Sequence, residues 1–586
     1  MFGGGHMKKL LLYYHTIKYL KFSQICYRIC RRLQRRLYNP YIREAGTVPS
    51  VNMDTTYTIP ELDLDPDYLG RFNPEELQQN IFTFLHLKKK MDIRNGWNDM
   101  SMPHLWRFNL HYFEYLYSIA NACRLSKDEK YYEKYKEIIR EWIKNNPIGK
   151  GDGWHPYTIS MRLPNWICTY ELLYDKIDKD LQFKEDILRS LYTQYRYLQR
   201  NVEKDIRGNH YLENLKALIL GSIFFKKERL LQKYMNELDK QIKEQILEDG
   251  MHFELSPMYH NIALEALIKI NFWTRQERYT DTIARMLCVT CSMAQSSRLP
   301  FFNDCGEGVA KSARVMMDTA QKYFYINPQY RTSFEAGGYY ILPSGPYRCI
   351  IDAGKIGPEY LPGHGHCDAL SYELSVNGEL IIVNSGTYTY ERGKWRDYFR
   401  STRAHNTLTI DDTEQSECWE SFRVARRIKD SEGCMENHDG IPVFRGSCLN
   451  YKEQRHARSI MWIRPDILLV VDRVFASEYR YTKSYIHIHP QYELIWTDHW
   501  EITKEKKRTA DIVCINADSA KKYRGDEING WYAPEFGLKC ENDVLEIISH
   551  VPVSGYIINF SNQPIDTALW ERIMDIVEKE KIKSIK

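Results

Sequence analysis

The 586-residue chain is too long for one compact domain and reads as two or three separate cores. With 43% hydrophobic and 27% charged residues it has ordinary globular composition, and 81 basic against 77 acidic residues leave a net charge of +4, too balanced to mark a nucleic-acid binder. No apolar run is long enough for a membrane-spanning helix.

Residues 1–6 (MFGGGH) read as an appended remnant, with Met7 as the natural start. The segment Lys8–Phe22 is interrupted by His15, Lys18 and Lys21 and makes a poor signal peptide. On sequence alone the expectation is cytoplasmic, or periplasmic or secreted if a leader has been trimmed. The basic stretch Arg28–Arg36 reads first as a solvated helix face and second as a contact for a membrane or a polyanion.

Up to about residue 330 the chain reads as helix after helix, without strand signals. Ile138, Ile139, Trp142 and Ile143 form one apolar stripe at helical spacing. Leu212, Leu215, Leu218, Ile219, Ser222 and Ile223 form a second, and Ile262, Leu264, Leu267, Ile268 and Phe272 a third. Gly337, Gly338, Pro343, Gly345 and Pro346 then punctuate the chain, and alternation with period two takes over. Leu370, Tyr372, Leu374 and Val376 alternate up to Asn377-Gly378, a hairpin signal leading into Leu380–Val383. Ser459–Ile463 and Ile467–Val471 flank a second turn at Arg464-Pro465-Asp466, and Tyr485–His489 alternates again. The fold expected is multidomain α+β: an all-α domain over 7–335, then an antiparallel β-sandwich over 336–586. The 14 cysteines show no repeating spacing, and the one CxxC, Cys288 and Cys291, sits in an apolar stretch, so buried free thiols are expected rather than a zinc ribbon. The 43 tyrosines suit either sugar recognition or packing between helices, packing being the commoner use.

Four segments are dense in polar groups amid apolar flanks: GWHPYTISMRLPNW (153–166), RGNH (207–210), DGMHFELSPMYH (249–260), and the stretch from GHGH (363–366) to RAHN (403–406). Singly, each has a structural reading: a helix cap for Asn209-His210, a core aromatic for Tyr259, solvated imidazoles in a turn for His364 and His366. Their order along the chain resembles the heparinase II/III-like superfamily of polysaccharide lyases. The most specific pieces are GNHYLENLKAL (208–218), DGMHFELSPMYH (249–260), GHGHCDALSYELSVNG (363–378) and GTYTYERGKWRDYFRSTRAHNTL (386–408). In style the chain is similar to the broad-specificity glycosaminoglycan lyases of polysaccharide lyase family 35.

The resemblance implies an α/α toroid followed by an antiparallel β-sandwich, and β-elimination on uronic-acid polysaccharides of the hyaluronan, chondroitin or heparan type. It implies that Asn209, helped by His364, neutralises the uronate carboxylate, as donors in an oxyanion hole do. Tyr259 is similar to the tyrosine that protonates the leaving oxygen, and which takes the C5 proton in syn substrates. An unperturbed phenol titrates near ~10, so that base role needs cationic neighbours. His210 is similar to the alternative base. His366 and His405 are similar to metal ligands whose third partner in the family is an aspartate, where this chain has Asn384. A neutral amide binds more weakly than carboxylate, so one divalent ion, Zn²⁺ or Mn²⁺, in a structural role is expected, or else a dry His–Asn–His cluster.

Candidate sugar contacts are Asn109, His111, Trp154, Arg162, Asn165, Trp166, Glu254, Tyr390, Arg396 and Arg400, combining rings for stacking with donors for an anionic chain. The expected partner is an anionic polysaccharide. Oligomeric state has no signal here, and His487 and His489 receive no role. The alternatives are an alginate or polyuronate lyase, a hydrolase using a carboxylate pair such as Glu254 and Asp304, and an inactive carbohydrate-binding relative favoured by Asn384.

Overall fold

The structure, a computed structural model, describes residues 4–438 and 440–582; of the segment read as an appended remnant, residues 1–3 lie outside the described residues. Two N-terminal helices, α1 (Gly4–Ile17) and α2 (Phe22–Leu37), form an arm. The toroid follows: α3 (His104–Tyr112), α4 (Leu116–Ser126), α5 (Glu129–Asn145), α6 (Pro156–Leu172), α7 (Leu181–Arg200), α8 (Gly208–Phe224), α9 (Glu228–Gln245), α10 (Pro257–Thr274), α11 (Thr280–Met293) and α12 (Ala313–Phe324). The stripes read from the sequence pack inward. Ile138, Ile139 and Trp142 of α5, Leu215 and Leu218 of α8, and Leu264, Leu267 and Ile268 of α10 are all buried in one core. The outward faces of α5, α7 and α9 carry the charged residues, so each presents a single apolar side, as outer helices of a layered domain do.

One expectation fails in this half. The strands Ile81–Phe84 and Leu87–Lys90 pair antiparallel, turning through Leu85 and His86, both at positive φ. The turn uses neither Gly nor Asn, so the usual sequence mark of a hairpin is missing.

The β region opens with a five-stranded sheet whose first strand is Ser333–Phe334. Asn377 (φ 52°) and Gly378 (φ 80°) close the hairpin between Tyr372–Val376 and Glu379–Ile382, the double positive φ of a two-residue turn. Pro465-Asp466 closes a second hairpin, with Arg464 opposite Ile467. An eight-stranded sheet packs on the five-stranded sheet and a four-stranded sheet around one core, which includes Leu342, Leu374, Ile460, Leu468 and Ile547. A bridge between Ile382 and Ile488 joins the two smaller sheets. The far side of the large sheet is covered by a C-terminal helix, Thr567–Ile582, through Leu569, Ile573 and Val577. That helix is absent from the sequence expectation, which ran the sandwich to the end. All 14 cysteines are free, with Cys288 and Cys291 buried. No described helix is long and apolar enough to cross a membrane.

Candidate active site between toroid and sandwich

A cavity of about 1310 Å³ lies where the toroid mouth meets the sandwich, walled by Asn209, His210 and Tyr259 from the helices and by His364, Tyr390 and Phe422 from the β region. The backbone places Asn209 by an unusual route. Arg207 (φ 71°) and Gly208 (φ 54°) are both left-handed, so α8 starts from a sharp reversal. A Cβ on Gly208 would lie 2.2 Å from Glu254 Oε1, so only glycine lets that carboxylate approach. Glu254 then accepts from the Asn209 backbone N–H and from Asn209 Nδ2, each at 2.9 Å, which fixes the amide's orientation. The same Nδ2 lies 3.4 Å from His364 Nε2. Asn209 does not cap α8, whose N-cap position is Arg207 and carries no side-chain cap bond; its side chain is clamped and turned to the cavity wall.

His364 is oriented from behind, its Nδ1 lying 2.9 Å from Asp304 Oδ2. Burial alone would push Asp304 up, but the bidentate Arg396 guanidinium and the His364 and His366 rings hold it well below the usual carboxylate range. The Asp304 anion favours the proton on His364 Nδ1, leaving Nε2 toward Asn209 and the cavity. Between the two histidines, a Cβ on Gly365 would meet the Ile356 carbonyl oxygen at 2.1 Å, and Arg400 donates to the Gly365 carbonyl at 3.0 and 3.1 Å.

Tyr259 is set by a helix start. Pro257 opens α10, and the Ser256 hydroxyl caps it by accepting from the Tyr259 N–H at 3.2 Å. The phenol ring lies over His364, 3.9 Å between centroids, and its hydroxyl is 3.0 Å from that of Tyr390. Burial, then Tyr390 and Asp304, push this phenol well above 10, so it keeps its proton. His210 packs on Tyr157 at 4.3 Å and sits 3.2 Å from buried Glu203. Burial lowers its pKa, but the Glu203 carboxylate more than offsets this and raises it above 6.5. Glu203, held at about 2 against burial by His210, His155 and Arg31, is a full anion.

Of the sugar contacts expected from the sequence, Asn109, Asn165 and Tyr390 line the cavity. The others do not, for separate physical reasons. Arg162 is fully buried, stacked 4.0 Å over Trp142, and spends its donors on Gln194 and on the carbonyls of His111 and Gly153. His111 accepts from the Trp142 indole, Trp154 donates to the Asn146 carbonyl, and Trp166 packs among Phe113 and Trp142, so all three are core. Glu254 stands behind Asn209, and Arg396 and Arg400 stand behind His364, fully buried. These three are positioning residues rather than sugar contacts. With Glu254 and Asp304 both committed to such pairs, no carboxylate pair faces the cavity from the positions considered for a hydrolase.

Beside His366, Asn384 and His405 the fold places a carboxylate, Asp368. The buried group that could hold a cation is His366, Asp368 and His405, with ligand atoms within 4.8 Å of one another. His366 Nε2 lies 2.9 Å from Asp304 and His405 Nδ1 3.3 Å from Asn384 Oδ1, leaving His366 Nδ1 and His405 Nε2 buried without partners. Two orphaned imidazole nitrogens beside a carboxylate fit a divalent ion, and Asn384 takes the outer place of orienting His405. Burial pushes both Asp368 and neighbouring Asp352 up from the usual carboxylate range. Asp368 stands two residues beyond His366 in GHGHCD, and that short spacing is the signal that the sequence reading passed over. His155 and Tyr157, which line the cavity, and Glu203, buried behind it against His210, were missed too.

The Heparinase II/III N-terminus family model matches residues 70–331, and the Heparinase II/III-like, C-terminal model matches residues 327–564. A heparin-sulfate lyase of Pedobacter heparinus is 26% identical over 408 residues, 63% of this chain and 60% of the relative. One from Bacteroides thetaiotaomicron is 22% identical over 62% of this chain and 58% of its own length. The chain thus spans about three fifths of the curated relatives it matches. Among solved structures, a heparinase III superposes with TM-score 0.68 at 18% identity, covering 91% of this chain and 89% of that one. A chondroitin AC lyase of Streptomyces coelicolor superposes with TM-score 0.54 at 8% identity, covering 93% and 83%. These two likenesses concern the fold, an α/α toroid carrying an antiparallel β-sandwich.

Proposed function

The chain belongs to the heparinase II/III-like family, and from that premise we propose that it is a lyase cleaving a uronic-acid glycosaminoglycan by β-elimination. The observation that carries this is the clamp Glu254–Asn209–His364–Asp304 with the Tyr259 ring stacked on it, all at one cavity wall. Asn209 Nδ2 stands where a uronate carboxylate gains a hydrogen bond as enolate charge develops, a preorganised donor of the kind that stabilises such a transition state, and His364 donates beside it from Nε2 when its ring carries both protons. The C5–H bond breaks and its proton goes to a base; the C4=C5 double bond forms; the C4–O bond breaks and the leaving oxygen takes a proton from Tyr259. A phenol that keeps its proton is suited to the acid step, and His210, neutral above its raised pKa, is the base this geometry supplies. Heparan sulfate heads the candidate substrates, since the curated relatives are heparin-sulfate lyases.

His366, Asp368 and His405 would hold one divalent ion, Zn²⁺ or Mn²⁺, whose contribution is structural: tying the 386–405 segment to the loop that carries His364. Incubation with heparan sulfate, chondroitin, hyaluronan and alginate tests the whole reading. A lyase yields an ultraviolet-absorbing unsaturated uronate from at least one of them. New reducing ends without that chromophore would reassign the protein to hydrolysis.

A further inference from the structure

Helix α2 is seated the wrong way round for hydrophobic burial. Gln24 and Arg31 are its buried residues, whereas Ile29 (55% exposed) and Leu33 (54%) face outward. A surface helix ordinarily turns its apolar stripe inward, so polar contacts must seat this one. They are present: Gln24 donates to the Asp205 carbonyl at 3.3 Å, Arg31 pairs with the Asp205 carboxylate, and Lys21 reaches Glu244 at 2.6 Å. On α1, Thr16 accepts from the Trp419 indole at 3.1 Å, so the arm spans from toroid to sandwich.

This seating turns Arg28, Arg32 and Arg35 to the cavity wall. At spacings of four and three residues they form one row, about 10 Å long at ~1.5 Å per residue. Other arginines of the cavity already have a protein partner. Arg207 pairs with Glu244, Arg423 with Glu420 at 3.2 Å, Arg71 reaches the Gly308 carbonyl and Arg427 the Glu359 carbonyl. Arg28, Arg32 and Arg35 make no hydrogen bond or ion pair with any described residue, though three guanidinium groups side by side repel one another. The row adjoins the catalytic wall, since Arg31 lies 4.0 Å from Glu203, the residue that holds His210. It also belongs to a part of the chain that neither family model reaches, both beginning at residue 70 or later.

We propose that Arg28, Arg32 and Arg35 form an anion subsite that holds sulfate or carboxylate groups of the polysaccharide beyond the sugar being cleaved, and so set which chains this enzyme takes. The proposal rests on the lyase reading for its polymer but not for its test, which is direct binding. Guanidinium forks match both anions bidentately. The triple variant R28Q/R32Q/R35Q should fold normally, all three side chains being exposed. R36Q, on the same helix but away from the cavity wall, is the control for loss of one charge off the row.

Affinity for heparan sulfate and for its chemically desulfated form is measured by calorimetry in low salt, alongside KM for each. The expected result is about a tenfold loss of affinity for the triple variant, from three partly exposed contacts, and less than twofold for R36Q. The difference should shrink as salt screens it. A loss confined to the sulfated polymer assigns the row to sulfate; an equal loss on both assigns it to uronate carboxylates. Equal affinities of triple variant and wild type for both polymers overturn the proposal, as does an equal loss in R36Q. Unchanged polymer binding with lost adsorption to phosphatidylserine vesicles would overturn it in favour of a membrane-facing row. If the wild type makes no unsaturated product yet the row still governs polymer affinity, the reaction reading fails and the subsite stands.

Discussion

Replacing Tyr259 by Phe separates chemistry from packing more cleanly than any other change at this site. The ring over His364, at 3.9 Å, is kept, and the only group lost is a hydroxyl 3.0 Å from that of Tyr390. One net hydrogen bond is worth about 1 kcal/mol, so the melting temperature should fall by no more than ~2 °C in a chain of this size. Loss of a general acid costs about 10²–10⁴ in rate, or roughly 3–5 kcal/mol of transition-state stabilisation, several times the stability effect. Initial rates of ultraviolet-absorbing product, with a melting curve and substrate affinity for the same preparation, give all three quantities. Tyr390→Phe removes the partner hydroxyl and should cost less than about tenfold. The pH profile adds a sign. An acid must hold its proton, and burial pushes the Tyr259 phenol well above 10, so this group should cause no fall in kcat/KM below pH ~10. Retention of more than a tenth of the wild-type rate by Tyr259→Phe, or a Tyr259-dependent alkaline limb near neutrality, would refute the acid assignment.

Asn209→Ala should lower kcat by about 10²–10³ with the fold retained, as loss of one oxyanion-type donor does; an unchanged kcat would leave Asn209 a structural partner of Glu254 only. Gly208→Ala forces a Cβ against Glu254 Oε1 and strains a left-handed residue, so it should lower both the melting temperature and kcat, the latter by about 10²-fold; wild-type kinetics would show that the clamp does not act on the reaction. Glu203→Gln removes the anion that raises His210, so the acid limb of kcat/KM, lying above pH 6.5 in the wild type, should move to lower pH; an unmoved limb would exclude His210 as the base. Chelator should lower the melting temperature of freshly purified protein, and Asp368→Asn should abolish that response, because an ion bound only to the folded state stabilises it; no chelator effect and no stoichiometric metal would leave a hydrogen-bonded cluster.

What the sequence determined by itself is local. Apolar spacing placed the inward faces of α5, α8 and α10, and Asn377-Gly378 dictated its hairpin, because these depend on the chain's own periodicity and on φ preferences. Asn209, His210, Tyr259 and His364 were not legible singly; the order of their motifs along the chain, and the family resemblance that order carries, marked them, each at a helix start or turn beside Gly208, Ser256-Pro257 or Gly365. What only tertiary structure decided is who faces whom. Arg162, Arg396 and Arg400 have the same composition signal as a cleft arginine, yet their partners lie on other elements, and satisfied guanidinium groups are drawn into the interior. Asn384 is legible by its place in a motif, whereas Asp368 comes into view only in the fold, because proximity to His366 and His405 is set by three dimensions rather than by register. Helix α2 is the sharpest case. Its periodicity announces an amphipathic helix, but hydrophobicity alone predicts the opposite face inward. The ion pairs to Asp205 and Glu244, nearly two hundred residues or more away in the chain, turned its arginines to the cavity.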